Sequence, residues 1–286
     1  MKKREITTSV LLIILAVALI VAGVWLTIRD RMDLTSDEVV YLPFDEGFDP
    51  ARVTGIRAEL IDSELHIYTG SDENIEIQTD GEGLSVREEH GQIVISQHHE
   101  HGSQIFTGKE NASVVIWLPA GYAGAITAGL GSGDVNVNGL DTPGLDLDIT
   151  CASGEISVYS AVFGTLTLHT ASGDIWMGSD TVAGELDLTS VSGEISVYGT
   201  EAEGISAVTT SGEIWISAPL TDSLRASSTS GDVTVALTGG PEEYEVRCTT
   251  TSGRVTGGRE AVDGPKKVTV ATTSGDVMIT FDAETQ

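Results

Sequence analysis

The chain has 286 residues, 43 acidic and 15 basic, for a formal net charge of −28 and a pI near 4.2. Phosphate contacts need clustered Lys and Arg, so nucleic acid is excluded as a partner. Hydrophobic residues make up 40% of the chain, while two cysteines and six histidines give neither a disulfide scaffold nor a zinc signature, which leaves a folded domain with a packed apolar core.

Residues 1–32 read as a cytoplasmic tip and a transmembrane anchor. Lys2, Lys3 and Arg4 precede an uncharged run from Val10 to Ile28 that Arg29, Asp30 and Arg31 close. At ~1.5 Å per residue a helix over residues 10–28 is long enough to cross a ~30 Å hydrocarbon core. The leading basic residues keep that end in the cytoplasm and send the rest of the chain outside, as a single-pass protein of the cell membrane. A cleaved signal peptide is the alternative, but the apolar run exceeds the ~7–15 residues usual for one. Without the five basic and two acidic residues of this segment, the exported part has 10 basic and 41 acidic residues, and no Lys or Arg stands between Lys109 and Arg225. Such a surface attracts cations or a basic partner; a solvated acidic coat that maintains solubility is the plainer reading.

Residues 33–52, with Asp33, Asp37, Glu38, Asp45, Glu46 and Asp49, read as an acidic spacer. Residues 53–125 form an N-terminal β region, either a cap or the first coils of the repeat array, since Glu64–Tyr68, Asn74–Gln78 and Gln92–Ser96 alternate apolar and polar side chains. His98, His99, Glu100 and His101 form the one dense imidazole run; adjacent strand residues point to opposite faces, so a solvated loop is favoured over a zinc site.

Residues 126–282 carry the strongest signal. Ser132-Gly133-Asp134, Ser153-Gly154-Glu155, Ser172-Gly173-Asp174, Ser192-Gly193-Glu194, Ser211-Gly212-Glu213, Ser230-Gly231-Asp232 and Ser274-Gly275-Asp276 repeat one triplet, and Ser252-Gly253-Arg254 is its non-acidic copy. Successive glycines are 19 to 22 residues apart, which is a repeat architecture. Two and four residues after each glycine, and five and seven before it, the side chains are predominantly apolar, so each unit contributes two short strands with one inward face. One unit cannot bury that face alone, whereas coils stacked ~4.8 Å apart bury it continuously. The expected fold is all-β, a parallel β-solenoid with ~20-residue coils, its eight repeats forming a rod of about 38 Å. An antiparallel sandwich is the structural competitor, and it offers no reason for one turn triplet to recur. Residues 283–286 read as a tail.

The pattern in Thr210-Ser-Gly-Glu-Ile214, Thr229-Ser-Gly-Asp-Val233 and Thr273-Ser-Gly-Asp-Val277, with Val115-Ile-Trp-Leu-Pro119 ahead of it, resembles the bacterial putative-adhesin family of β-strand-repeat proteins, a domain of unknown function. The resemblance covers roughly residues 53–282. It implies a right-handed β-helix on a membrane-anchored, envelope-facing protein, with links to adhesion or envelope stress, and it brings no catalytic residues.

Two candidate sites emerge from the columns. Tyr159, Trp176, Tyr198 and Trp215 alternate on one outward face, near enough diagonally to form a ladder for sugar rings or a partner protein; packing against a loop or the N-terminal segment is the alternative. Asp134, Glu155, Asp174, Glu194, Glu213 and Asp232 would stand one coil apart, a like-charge column that Ca²⁺ between coils would relieve, although no carbonyl-rich Ca²⁺ turn recurs; no other cofactor is implied. Cys151 and Cys248 fall on inward columns about 24 Å apart, beyond disulfide reach, and are expected as buried free thiols.

These readings favour an extracytoplasmic adhesin-like binding or structural module without catalysis, whose ligand is a glycan or a protein at the cell surface. An envelope-stress sensor that binds cationic peptides or cations through the acidic face is the alternative. A polysaccharide lyase or hydrolase would need paired carboxylates in a groove, and the absence of Lys and Arg from 110 to 224 disfavours an anionic polysaccharide substrate.

Overall fold

The computed structural model describes residues 45–71, 73–81, 83–98, 112–179, 182–217, 219–257 and 264–282. Among these residues the one helical segment is the 3₁₀ turn Pro241–Glu243, and no helix is long and apolar enough to cross a membrane; the expected anchor over 10–28 lies outside the described residues. The N-terminal region forms β1 (Asp45–Phe48), β2 (Gly55–Leu60), β3 (Ser63–Thr69), β4 (Ile75–Asp80), β5 (Leu84–Glu89), β6 (Gln92–Gln97) and β7 (Ala112–Leu118).

Each repeat then contributes two strands with its glycine between them. They are β8 (Ala125–Leu130) with β9 (Val135–Asn138), β10 (Asp146–Ser153) with β11 (Ile156–Tyr159), β12 (Thr165–Ser172) with β13 (Ile175–Gly178), and β14 (Val182–Ser192) with β15 (Ile195–Tyr198). The last four pairs are β16 (Glu201–Ser211) with β17 (Ile214–Ser217), β18 (Ser223–Ser230) with β19 (Val233–Thr238), β20 (Tyr244–Ser252) with β21 (Val255–Thr256), and β22 (Lys266–Ser274) with β23 (Val277–Asp282).

The second strands stack into a twelve-stranded sheet and the first strands into an eleven-stranded one. Pairing is parallel throughout the repeats, with Ile156, Ile175, Ile195, Ile214 and Val233 opposite one another in register, and Leu147, Leu166, Leu186, Ile205 and Leu224 likewise. These side chains are at most 3% exposed and belong to one continuous core between the sheets. Burying each contributes about 1.5–3 kcal/mol, which no isolated unit could gain.

Two further columns fix the turns. A Cβ built on Gly212 would fall on the carbonyl oxygen of Gly193, and the same holds from coil to coil along the triplet glycines, so the residue is required by close backbone approach. Three residues before the glycine, inward hydroxyls donate to the glycine carbonyl of the neighbouring coil: Ser190 to Gly173 (3.3 Å), Thr209 to Gly193 (3.3 Å), Ser228 to Gly212 (3.1 Å), Thr272 to Gly231 (3.0 Å) and Thr250 to Gly275 (2.9 Å). The Thr and Ser ahead of the triplet thus satisfy carbonyls that the turn would otherwise bury unpaired.

The ends depart from the simple stack in three ways. First, strand order in space is not chain order: β22 and β23 lie between β18/β19 and β20/β21, and at the other end β6 and β7 lie outside β2 and β3. Secondly, β1, β4 and β5 pair antiparallel and lie outermost at the N-terminal end, so residues 53–125 supply two parallel coils and antiparallel strands that cap them. Thirdly, residues 45–48, read from sequence as spacer, form β1, with Phe48 packed on the core.

Candidate functional site

The register places Trp176 on β13 opposite Ser157 and Ser196, Trp215 on β17 opposite Ser196 and Thr234, and Tyr198 on β15 opposite Gly178 and Ser217. Tyr159 stands on β11 opposite Asn138 and Gly178. The four rings therefore alternate between two outward columns of the twelve-stranded sheet. Tyr198 is 63% exposed and Trp215 53%, while Tyr159 and Trp176 are half-buried. A Cβ on Gly178 would stand 3.6 Å from Cε1 of Tyr159 and 3.4 Å from Cβ of Tyr198, so the Tyr159 ring leans over the glycine.

The ladder is longer than its sequence reading. Tyr68 on β3 stands opposite Asn138, in the column of Tyr159 and Tyr198, and Trp117 on β7 stands opposite Tyr68. Tyr68 stacks on His66, ring centroids 6.1 Å apart, with 3.3 Å between the phenol oxygen and Nδ1. The signal was present: Leu65-His-Ile-Tyr68 has the alternation of Ile156-Ser-Val-Tyr159 and Ile195-Ser-Val-Tyr198, without the triplet that marks the later copies.

The acidic residues line the edge of this face, each just ahead of its outward strand. Most of them have protein partners. Oδ1 of Asp134 accepts the Glu155 backbone N–H (2.9 Å), Asp174 that of Glu194 (2.8 Å), Asp232 that of Asp276 (2.7 Å) and Asp276 that of Arg254 (2.8 Å). Glu155 accepts the Ser157 hydroxyl (2.7 Å) and Glu194 the Ser196 hydroxyl (2.5 Å). Glu213 and Asp232 are exposed. Asp side chains in this column thus tie one coil to the next, which accounts for aspartate after glycine, while Glu155 and Glu194 bond hydroxyls of their own strands. Arg254 breaks the pattern because its coil is spatially last and no further N–H needs an acceptor; its guanidinium bonds Asp276 instead (2.9 Å). Its backbone and side-chain donors hold the Asp276 carboxyl below the usual range. Among the described residues no three carboxylate, imidazole or thiol groups converge in a way that could hold a metal ion.

The eleven-stranded sheet presents a different exterior. Asp146, Asp148, Glu185 and Asp187 point outward from β10 and β14, and burial pushes the Asp148 carboxyl up, with His169 on the adjacent strand opposing the shift. Of the imidazole run, His98 follows β6 with a buried, unpartnered Nδ1, and residues 99–101 lie outside the described residues. Both cysteines are free. Cys151 is buried as expected; Cys248 is only half-buried, a correction that stems from β20 being the terminal strand of its sheet, open on one side. Burial pushes both thiols up to about 11.

The profile of the family described as Toastrack DUF4097 matches residues 54–280. Among solved structures, the chain is similar to a putative adhesin from Bacteroides fragilis, with 14% identity and a TM-score of 0.53 over 84% of this chain and 98% of that one. It is also similar to a putative adhesin from Parabacteroides merdae, with 15% identity and a TM-score of 0.50 over 83% of this chain and 95% of that one. At such identities the likeness concerns the fold alone. No curated protein sequence matches the chain.

Proposed function

The chain belongs to the Toastrack DUF4097 family, and from that premise we propose that it is a non-catalytic, adhesin-like binding module displayed outside the cell membrane. Residues 10–28 anchor it, the basic residues ahead of them stay in the cytoplasm, and the coils wind right-handed, as parallel strand connections do. The names of the two similar structures support the adhesin reading. The observation that carries it is the in-register ladder of Tyr159, Trp176, Tyr198 and Trp215, continued by Tyr68 and Trp117, on one outward face. Exposed and half-exposed aromatics aligned on one face and rimmed by polar groups are what a binding surface looks like, and a rigid sheet holds them without an ordering cost.

The test is attachment of cells displaying the full chain to host or bacterial surfaces. Trp176→Ala with Trp215→Ala should abolish attachment while the thermal transition stays put. Unchanged attachment would remove the face from the proposal. Protease added to intact cells should release the domain if it is displayed outside. Salt-sensitive binding of basic peptides, lost on neutralising Glu213 and Asp232, would instead favour a sensor of cationic peptides, for which the exposed carboxylates speak.

A further inference from the structure

The outward columns of the twelve-stranded sheet also constrain the ligand's chemistry, an inference that rests on the binding face just proposed. From β9 to β19 these columns hold Asn, Ser, Thr, Tyr, Trp, Gly and Ala, with no Asp, Glu, Lys or Arg, in a chain of net charge −28. The same coils place Asp146, Asp148, Glu185 and Asp187 on the opposite exterior, which carries no Tyr, Trp or Phe from β8 to β18. The ring-bearing columns stay free of carboxylate, ammonium and guanidinium groups on each strand from β9 to β19, whereas the opposite exterior carries carboxylates on β10 and β14 and Arg225 on β18, a contrast that solubility by itself does not require.

The rings are also regularly placed. Tyr68, Tyr159 and Tyr198 occupy one column on every second strand, with Asn138 and Gly178 in the intervening places. At ~4.8 Å per strand, like rings recur about every 10 Å and the set spans about 19 Å along the solenoid axis. Along the edge, Glu155 and Glu194 are hydrogen-bond acceptors that already hold Ser157 and Ser196.

We propose that this face binds a neutral, extended, β-linked polysaccharide lying along the solenoid axis. Pyranose rings have apolar C–H faces and hydroxyl edges. In an extended β-linked chain every second ring presents the same face, so alternate sugars stack on Tyr68, Tyr159 and Tyr198 while their hydroxyls donate to Glu155 and Glu194. An anionic polymer would meet the carboxylate row, and a cationic one would gain nothing from the uncharged rings.

The experiment is calorimetric titration of the full chain in detergent with soluble β-1,4-linked glucan and N-acetylglucosamine oligosaccharides of increasing length, with polygalacturonate and oligolysine as charged controls. Affinity for one neutral series should rise until the sugar spans Tyr68 to Tyr198 and should not change with added salt. Tyr159→Ala should weaken binding about tenfold. Gly178→Leu, which removes no ring and fills the place between two of them, should do the same. Asp148→Asn on the opposite exterior should leave binding unchanged. If neither neutral series binds although attachment to cells still requires Trp176 and Trp215, the polysaccharide assignment is overturned and the adhesin reading stands. If attachment is also indifferent to those tryptophans, both fall. Salt-sensitive capture of oligolysine alone would overturn the assignment in favour of a cationic ligand.

Discussion

The middle of the solenoid and its two ends obey the same column rules under different connectivity. From β10 to β19 each coil lies beside the coil that precedes it in sequence. At the C-terminal end the chain lays down β20 and β21 and then inserts β22 and β23 beneath them, yet the columns continue without a fault. Gly275 stacks on Gly231 and Gly253 on Gly275, while Thr272 bonds Gly231 and Thr250 bonds Gly275. What a repeat encodes is therefore a compatible surface above and below it. Which neighbour occupies that surface is a separate matter, decided by burial of the remaining edges.

The glycine column should give the largest effect. Gly212→Ala in the middle would set a Cβ on the Gly193 carbonyl and should cost about 3 kcal/mol or more in denaturant unfolding. Gly139→Ala, in a turn where φ is +64° and the space is open, should cost only about 1 kcal/mol, since Ser160 and Ser179 adopt a similar backbone in later turns. Equal effects would mean that backbone strain, and not coil contact, selects glycine.

Core truncation should separate middle from end next. Ile195→Ala, at a fully buried position, should lose about 2–5 kcal/mol, whereas Val255→Ala, in the equivalent column of the terminal coil but 43% exposed, should stay within about 0.5 kcal/mol. A comparable loss at Val255 would show that something covers the terminal coil in solution.

The smallest effect belongs to the charge that ends the ladder. The folded-state pKa of Asp276 is held below its unfolded value, so its contribution to stability is present at neutral pH and is lost as pH falls through the folded pKa. Arg254→Ala removes the side-chain part of that hold and keeps the backbone N–H. The carboxyl should then titrate at higher pH by NMR, with a marginal, salt-sensitive change in stability because both groups are exposed.

Much of this was legible in the primary structure. The period of the Ser-Gly-acidic triplet, the inward Ile, Leu and Val columns and the outward Tyr and Trp are local and periodic, and parallel pairing turns period into vertical neighbourhood. The triplet's own chemistry was only half legible. Positive φ explains a glycine anywhere, but the close approach of successive glycines and the Asp-to-backbone bonds exist only once coils are stacked.

The sequence alone dictates that about twenty residues make one coil, which side chains face inward, and that four aromatic rings share an outward face. Three-dimensional packing is what brings Tyr68 and Trp117 onto that face, slips β22 and β23 beneath β20 and β21, and leaves Cys248 half open. The reason is that alternation and turns are written in neighbouring residues, whereas the choice of which strand covers a free edge compares segments far apart in the chain, and the periodic pattern makes each of them an equally acceptable partner.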